Sequence, residues 1–311
     1  MSIPMSIVER EVNMNTFVTG GNGMLGSHIS YGLKPTANEV NLLNFNETLK
    51  FMRENDVTTV IHCAAKVGGL KYNMDHNSDM LLENLEMNNN LLRASIECGV
   101  KKILSVLSTC VFPATAQEPF GEDDIHNGFP HPTNFGYAYS KRTLLVASEA
   151  IRQQHGINCM NIIPSNMFGA GDNFNLNECH VIPALIRKAF ESKNGKLLVG
   201  GTGVARREFL YAKDAARVME WMIENIDTSV PVIVSPDDDI SILEISKLIA
   251  SRFDLEIEFD ETIPDGQITR RSDNSHFKSY SDQCDVNLTN FEDALNETID
   301  WFVENYKNAR L

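Results

Sequence analysis

The sequence predicts an α/β fold, a doubly wound parallel sheet with a smaller α+β substrate-binding lobe. Three observations carry that reading. The short apolar stretch Thr16-Phe17-Val18-Thr19 runs directly into Gly20-Gly21-Asn22-Gly23-Met24-Leu25-Gly26, the order in which a strand meets a phosphate-binding turn. Two more apolar runs, Thr59 to Ala65 and Ile103 to Leu107, read as buried strands opening abruptly into small or reactive residues. Helical patterns alternate with these runs, as a Rossmann-type parallel sheet requires.

A chain of 311 residues with 42% hydrophobic content buries a sizeable core in one large or two medium domains. Its formal charge of -15 argues against nucleic acid and anionic membranes as partners, because both attract summed positive charge. Cys63, Cys98, Cys110, Cys159, Cys179 and Cys284 show no paired spacing for a disulfide framework or a metal. A reducing cytoplasm suits them. Met1 to Asn15 carries Glu9, Arg10 and Glu11 without a long apolar core, so it reads as neither signal nor anchor, and 1–13 as a flexible extension.

Glycines at 20, 23 and 26 let the first turn close and let a diphosphate approach backbone N–H groups. Gly32 and Pro35 cut the following helix short. Between Lys34 and Leu43 no acidic residue follows a strand to hold a ribose. Leu49 to Asn55 reads as a helix, and His62 and Cys63, at the end of the second strand, as a satisfied core histidine and a buried thiol rather than ligands. Lys66 to Leu70 is a loop, and Met80 to Cys98 a long amphipathic helix stopped by Gly99. Its Leu81, Leu82, Leu85, Leu91, Leu92 and Ile96 pack on the sheet or on a second subunit.

Pro113 to Pro132 is a loop long enough to be a functional surface, followed by a helix from Tyr137 to Gln154. Cys159 to Pro164 is the next strand. Asn166, Asp172, Asn173 and His180 lie in a loop before the helix Val181 to Phe190. Thereafter Lys196 to Val199 and Ile257 to Phe259 read as strands, and Asp214 to Glu224, Ser241 to Phe253 and Phe291 to Tyr306 as helices. Ser241 and Glu244 match a capping box. The division is 14–174 with a return of 205–235 for the sheet domain, and 175–204 with 236–311 for the lobe. Basic doublets at Arg187-Lys188, Arg206-Arg207 and Arg270-Arg271 are either solvated pairs or a clamp for a pyrophosphate.

Ser108 and Cys110, two apart at a strand end, present a hydroxyl and a thiol to the crevice where such sheets bind ligands. Tyr137 and Lys141 stand one helical turn apart. A free tyrosine has a pKa of about 10, so proton transfer near neutrality needs a shift of roughly 3 units, about 4 kcal/mol. An exposed i,i+4 pair supplies only about 0.2–0.5 kcal/mol. Lys141 must therefore act in a sheltered site, helped by a positive nicotinamide ring. There Ser108 and Tyr137 hold a carbonyl oxygen while hydride arrives, and Tyr137 gives the proton. Cys110, with a thiol pKa of about 8.5, suits removal of a proton alpha to a ketone, and His180 is the candidate partner acid.

With the glycine motif, Ser108, Tyr137 and Lys141 in this order, the chain resembles the extended short-chain dehydrogenase/reductases, and within them the GDP-L-fucose synthase family. Ala64-Ala65-Lys66-Val67-Gly68-Gly69, Ser108-Thr109-Cys110-Val111-Phe112-Pro113, Asn134-Phe135-Gly136-Tyr137, Pro164-Ser165-Asn166, Asp172-Asn173-Phe174, His180 to Arg187 and Arg207-Glu208-Phe209-Leu210 carry the resemblance. It implies that Cys110 and His180 are base and acid in epimerising carbons 3 and 5 of GDP-4-keto-6-deoxymannose. It implies also that NADPH then reduces the 4-ketone with Ser108, Tyr137 and Lys141. The same resemblance assigns the cofactor to Gly20, Asn22, Gly23, Met24, Gly26, Ala64, Ala65, Tyr137, Lys141, Pro164 and Asn166. It assigns the GDP-sugar to Asn166, Val181, Leu185, Lys188, Arg207 and Arg270, and implies a homodimer joined through the helices Met80 to Cys98 and Tyr137 to Gln154.

Three departures stand out. The segment between Gly26 and Asn44 is shortened; Asn22 and Ala37 replace arginines that some members set against the 2′-phosphate, leaving NADH as an alternative; and Gly200 stands where a tryptophan often flanks the nucleotide. Competing readings are another nucleotide-sugar reductase, epimerase or dehydratase of this fold, and a noncatalytic dinucleotide-binding sensor. A 4,6-dehydratase is expected to carry an Asp-Glu pair at Thr109-Cys110, and a sensor to lack the tyrosine or the lysine.

Overall fold

Parallel strands β1 (Thr16–Thr19), β2 (Thr59–His62), β3 (Lys102–Val106) and β4 (Asn158–Pro164) lie side by side in that order, with Val232–Val234 at the far edge. The computed structural model describes residues 15–263, 265–280 and 283–311, and the extension expected at 1–13 lies outside them. Successive strand residues alternate between two apolar cores. Phe17, Val60, Ile103 and Cys159 face the helices Phe45–Glu54, Asn77–Cys98 and Phe135–His155. Val18, Ile61, Leu104 and Met160 face Ala212–Asn225. A sheet covered on both faces explains why its strands read as continuous apolar runs, each fully buried valine or isoleucine contributing roughly 1.5–3 kcal/mol.

The shortened segment has a clear structural outcome. After the glycine loop the chain makes one 3-10 turn, Gly26–His28, in place of a helix. A single residue, Leu33, then stands where a further strand would lie, paired with Phe17 through Val18 N–H to Leu33 O and Leu33 N–H to Thr16 O. Gly32 makes this approach possible, since its φ is +89° and a Cβ there would meet Thr16 O at 2.8 Å.

Several elements differ from the sequence reading. The first full helix begins at Phe45, four residues before Leu49, because the Asn44 side chain accepts N–H bonds from Asn46 and Glu47. The helix expected from Met80 starts at Asn77 and ends at Gly99 in the left-handed region. Strand β2 stops at His62, short of Ala65. Asn166, expected in a loop, opens the short strand Asn166–Phe168, which pairs with Phe209–Tyr211.

Phe168, Phe174, Leu185, Leu197, Ile245, Leu295 and Phe302 belong to the core of the lobe. Its strands Lys196–Gly200 and Glu256–Asp260 pair in parallel, and Arg206–Arg207 pairs with Ile240–Ser241. The Ser241–Glu244 capping box is formed. The long loop after Pro113 is stitched to the lobe, where Phe120 pairs with Ser272 through Phe120 N–H to Arg271 O and Asp273 N–H to Phe120 O.

Candidate active site

The glycine loop is fixed by sterics. A Cβ on Gly20 would lie 2.8 Å from the Ala64 nitrogen, and one on Gly26 only 2.3 Å from Gly20 O. Gly23 N–H closes the turn onto Gly20 O at 2.9 Å. Behind the loop, Thr19 Oγ1 meets His62 Nδ1 at 2.7 Å, and His62 Nε2 meets Asn88 Oδ1 at 2.9 Å. The amide oxygen can only accept, so the Nε2–H tautomer is the one that satisfies both bonds. Burial pulls the His62 pKa down to about 4, and the ring is neutral, the core histidine the sequence suggested. Thr19 Oγ1 also accepts from Ala64 N–H at 3.2 Å. Glycine loop, Ala64 and the helix Asn77–Cys98 are thus one hydrogen-bonded unit.

Asn22 and Ala37 are exposed. Lys34, which the sequence reading did not single out, lays its stem against Gly21 and gives its ammonium to the carbonyls of Ser27 and Ile29. This cation caps the truncated turn. Ala64 and Ala65 line the loop after β2, partly exposed like Gly23 and Met24, while Pro164 is buried and Asn166 exposed. Asn166 is held by bonds from its N–H and Nδ2 to Glu208 O.

At the end of β3 the geometry corrects one expectation. The strand stops at Val106, and Thr109–Val111 is a 3-10 turn with Ser108 as its cap. Ser108 and Cys110 are therefore not two apart on a strand; Ser108 Oγ accepts from Cys110 N–H at 3.2 Å. The Ser108 hydroxyl proton keeps its freedom to donate. Tyr137 is 7% exposed, and its pKa is pushed up by burial and then by neighbouring Cys110. Lys141 is 2% exposed, with Nζ 5.8 Å from the Tyr137 ring centre and 2.8 Å from Val106 O. Burial lowers its pKa to about 8. Among the described residues no hydrogen bond engages the Tyr137 hydroxyl, and Lys141 uses one of three donors.

The basic doublets split. Arg206 pairs with Asp239 at 2.6 Å and Glu244 at 3.0 Å, and Arg271 lies 3.8 Å from Asp239. Arg207 and Arg270 have no carboxylate within ion-pair distance among the described residues. Both are held below the usual arginine pKa by burial, and Arg270 depresses Arg207 further. Arg270 Nη2 donates to Thr109 O at 2.6 Å, and its charge reaches Cys110. Two partly buried guanidinium groups thus stand outside any ion pair, with the Glu118 carboxylate acting on both from a distance; such groups suit an anion. In the third doublet Arg187 pairs with Glu191 at 2.9 Å, and Lys188 reaches Leu198 O.

His180 caps the helix Val181–Glu191 without a side-chain cap bond; it is exposed, yet surrounding protein lowers its pKa. No hydrogen bond joins it to Cys110 among the described residues; Gly69 N–H bonds instead to Glu178 O, two residues before it. Val181 is partly exposed, whereas Leu185 is 3% exposed and lies in the lobe core. Gly200 is covered by Ile263, which would lie 3.0 Å from a Cβ there. Asp172 is buried, raised to about 7 by desolvation, and bonds Asn173 N–H through one oxygen. Glu208, buried against Ser272, was quoted only as part of a motif, for nothing in the sequence reveals a partner 64 residues away.

Fold and site together define a dinucleotide-dependent enzyme acting on a carbonyl: a glycine cradle admitting no side chains, beside a buried tyrosine–lysine pair. The chain belongs to the NAD dependent epimerase/dehydratase family, whose pattern matches residues 16–234. It is 35% identical to the GDP-L-fucose synthase of Dictyostelium discoideum, across 98% of this chain and 100% of that one. Against the GDP-L-fucose synthase of Escherichia coli (strain K12) the identity is 30%, covering 94% and 98%. A crystal structure of a GDP-L-fucose synthetase from Naegleria fowleri bound to NADP superposes with a TM-score of 0.88 at 34% identity, covering 95% and 94%.

Proposed function

We propose that this enzyme converts GDP-4-keto-6-deoxy-D-mannose to GDP-L-fucose, epimerising carbons 3 and 5 and reducing the 4-ketone with NADPH. The observation that carries the reading is the pair Arg207 and Arg270, outside any ion pair, with Arg270 close to Cys110 and Cys110 in turn close to Tyr137. A nucleoside diphosphate-sugar held there by its diphosphate brings its sugar to the thiol.

The 4-ketone makes the protons on carbons 3 and 5 acidic. At each carbon Cys110 takes one proton and His180 gives one to the opposite face; the thiol then loses its proton to solvent and the imidazole regains one, so both are reset for the second carbon. Ser108 and Tyr137 then hold the ketone oxygen, and Tyr137 donates its proton. NADPH, bound on the glycine cradle, supplies the hydride. Lys141, with its ammonium 5.8 Å from the Tyr137 ring centre, stabilises the phenolate left behind. Because burial pushes the phenol the other way, the positive nicotinamide ring adds to the attraction of Lys141. The assignment gives the dinucleotide to 14–174 with 205–235, and makes 175–204 with 236–311 the lobe that closes on the sugar nucleotide, which Cys110 and Arg207 meet from the first part.

Leu82 and Val146 are 62% and 55% exposed on the packed helices Asn77–Cys98 and Phe135–His155, which fits a homodimer joined through these helices. Six free thiols suit the cytoplasm; no helix among the described residues is long and apolar enough to cross a membrane. The test is turnover of GDP-4-keto-6-deoxymannose with NADPH in deuterated water. GDP-L-fucose labelled at carbons 3 and 5 is expected; a reduced but unepimerised product would remove Cys110 and His180 from the reading.

A further inference from the structure

We propose that Glu208 is a positioning residue for the substrate diphosphate: its buried carboxylate holds the segment Ile268–Asp273 against the strand Arg206–Arg207 and so sets Arg270 opposite Arg207. The proposal rests on the reading of these two arginines as the diphosphate clamp.

Glu208 is 4% exposed and adjoins Arg207 in the chain. Its carboxylate accepts the Ser272 N–H, 3.2 Å from each oxygen, and the Ser272 hydroxyl at 2.6 Å. Ser272 is two residues beyond Arg270. Backbone bonds tie the segment at Arg206 N–H to Ile268 O on one side and Phe120 N–H to Arg271 O on the other, and the side chains of Arg270 and Arg271 reach Thr109 O and Asp239. Glu208 is the side chain that holds the backbone of Ser272, and Ser272 Oγ passes the link on to Ser235 Oγ at 3.2 Å.

Burial raises the Glu208 pKa while the Ser272 bonds and Arg271 oppose the rise. A buried carboxylate costs desolvation, and apolar packing of similar volume often stabilises a fold as well or better. What the carboxylate adds is direction. Three contacts on one serine fix the path of the chain at that point, and the arginine two residues back inherits the placement. Through its own carbonyl, Glu208 also receives both bonds from Asn166, so one residue joins three segments around the crevice.

The experiment is calorimetric titration of the full-length protein with GDP and separately with NADPH, for Glu208→Ala, Glu208→Gln, Ser272→Ala, Arg270→Ala and the Glu208→Ala/Arg270→Ala double variant. Glu208→Ala is expected to weaken GDP about tenfold, the scale of a lost charge-assisted bond, leaving NADPH affinity as it was. Glu208→Gln, which keeps an acceptor for Ser272, recovers most of the loss. The double variant binds GDP no worse than Arg270→Ala alone, because the two residues act through one contact. In turnover the loss falls on KM and not on kcat.

Unchanged GDP affinity in Glu208→Ala, additivity in the double variant, or a parallel fall in NADPH affinity would each overturn the proposal. Arg270→Ala separates the two levels: unchanged GDP binding there overturns the clamp as well, whereas a loss there without one in Glu208→Ala overturns only the positioning role. Should Glu208→Ala fail to fold, Ser272→Ala carries the test, with a smaller loss of GDP affinity expected and none overturning it.

Discussion

The two ends of the crevice are built by different means. At the cofactor end, residues 16–34 and 59–65 meet mostly through backbone, with glycine carbons pressed on neighbouring main chain and a one-residue bridge at Leu33, backed by the side-chain bonds of Thr19, His62 and Asn88. At the substrate end side chains do the joining, with Arg270 reaching Thr109 across 161 residues and Glu208 reaching Ser272 across 64. The difference explains why a helix and a strand could shrink at one end without loss of the loop. Backbone contacts between neighbours survive shortening, but an arginine placed by a distant loop depends on every link in between.

The largest expected effect lies where the two ends meet. Tyr137→Phe is expected to lower ketone reduction by roughly 10³-fold, within the range for general acid catalysis, while exchange of substrate protons with deuterated water continues. Equal loss of both activities in a folded variant would dissolve the distinction between the tyrosine and the thiol.

Gly26→Ala tests the cofactor end alone. Its Cβ must displace Gly20 O, which overpacking energies place at about 1–3 kcal/mol, so NADPH affinity should fall by up to about 100-fold with GDP affinity intact. Fluorescence titration with NADPH checks it.

Two pH windows, one for each end, separate the buried titratable groups. His62 falls from 6.5 to about 4 in the fold, so the unfolded chain binds the extra proton and stability is lost as pH falls through that interval. Lys141 falls from 10.5 to about 8; the unfolded chain again binds more protons between those values, and stability rises with pH there. Each is on the order of 3 kcal/mol. Denaturant titrations across both windows should flatten near pH 5 in His62→Gln and near pH 9 in Lys141→Met, each variant leaving the other slope unchanged. A slope that survives its own substitution assigns the proton elsewhere.

The smallest effect is expected from Arg207→Ala, about a tenfold loss of GDP affinity with NADPH binding unchanged. Together with Gly26→Ala it completes a crossed pair. If either substitution moves both affinities equally, the two ends are one cooperative site.

Much of this was legible beforehand. The strand-to-glycine turn, the Tyr137–Lys141 spacing, the Ser241–Glu244 box and the shortened segment after Gly26 all rest on interactions within a few residues, which composition and spacing report directly. At two site positions where the sequence reading missed, a distant partner had intervened. Leu107 N–H bonds to Ile162 O beyond the end of β3, and the chain then turns, so Ser108 caps the Cys110 N–H where strand alternation would have set the two side by side. Leu185 faced inward because Phe174, Leu295 and Phe302 arrive from elsewhere to complete the lobe core.

By itself, then, the amino-acid order determined the fold class, the cradle, the reactive tyrosine, lysine and thiol, and the presence of three basic doublets. Only the tertiary structure decided which member of each doublet is tied to a carboxylate and which is not. Asp239 claims Arg206 and Arg271, and Glu191 claims Arg187. The physical reason is range: helix turns and glycine sterics act between neighbours along the chain, whereas an ion pair forms between whichever charges folding brings within about 4 Å.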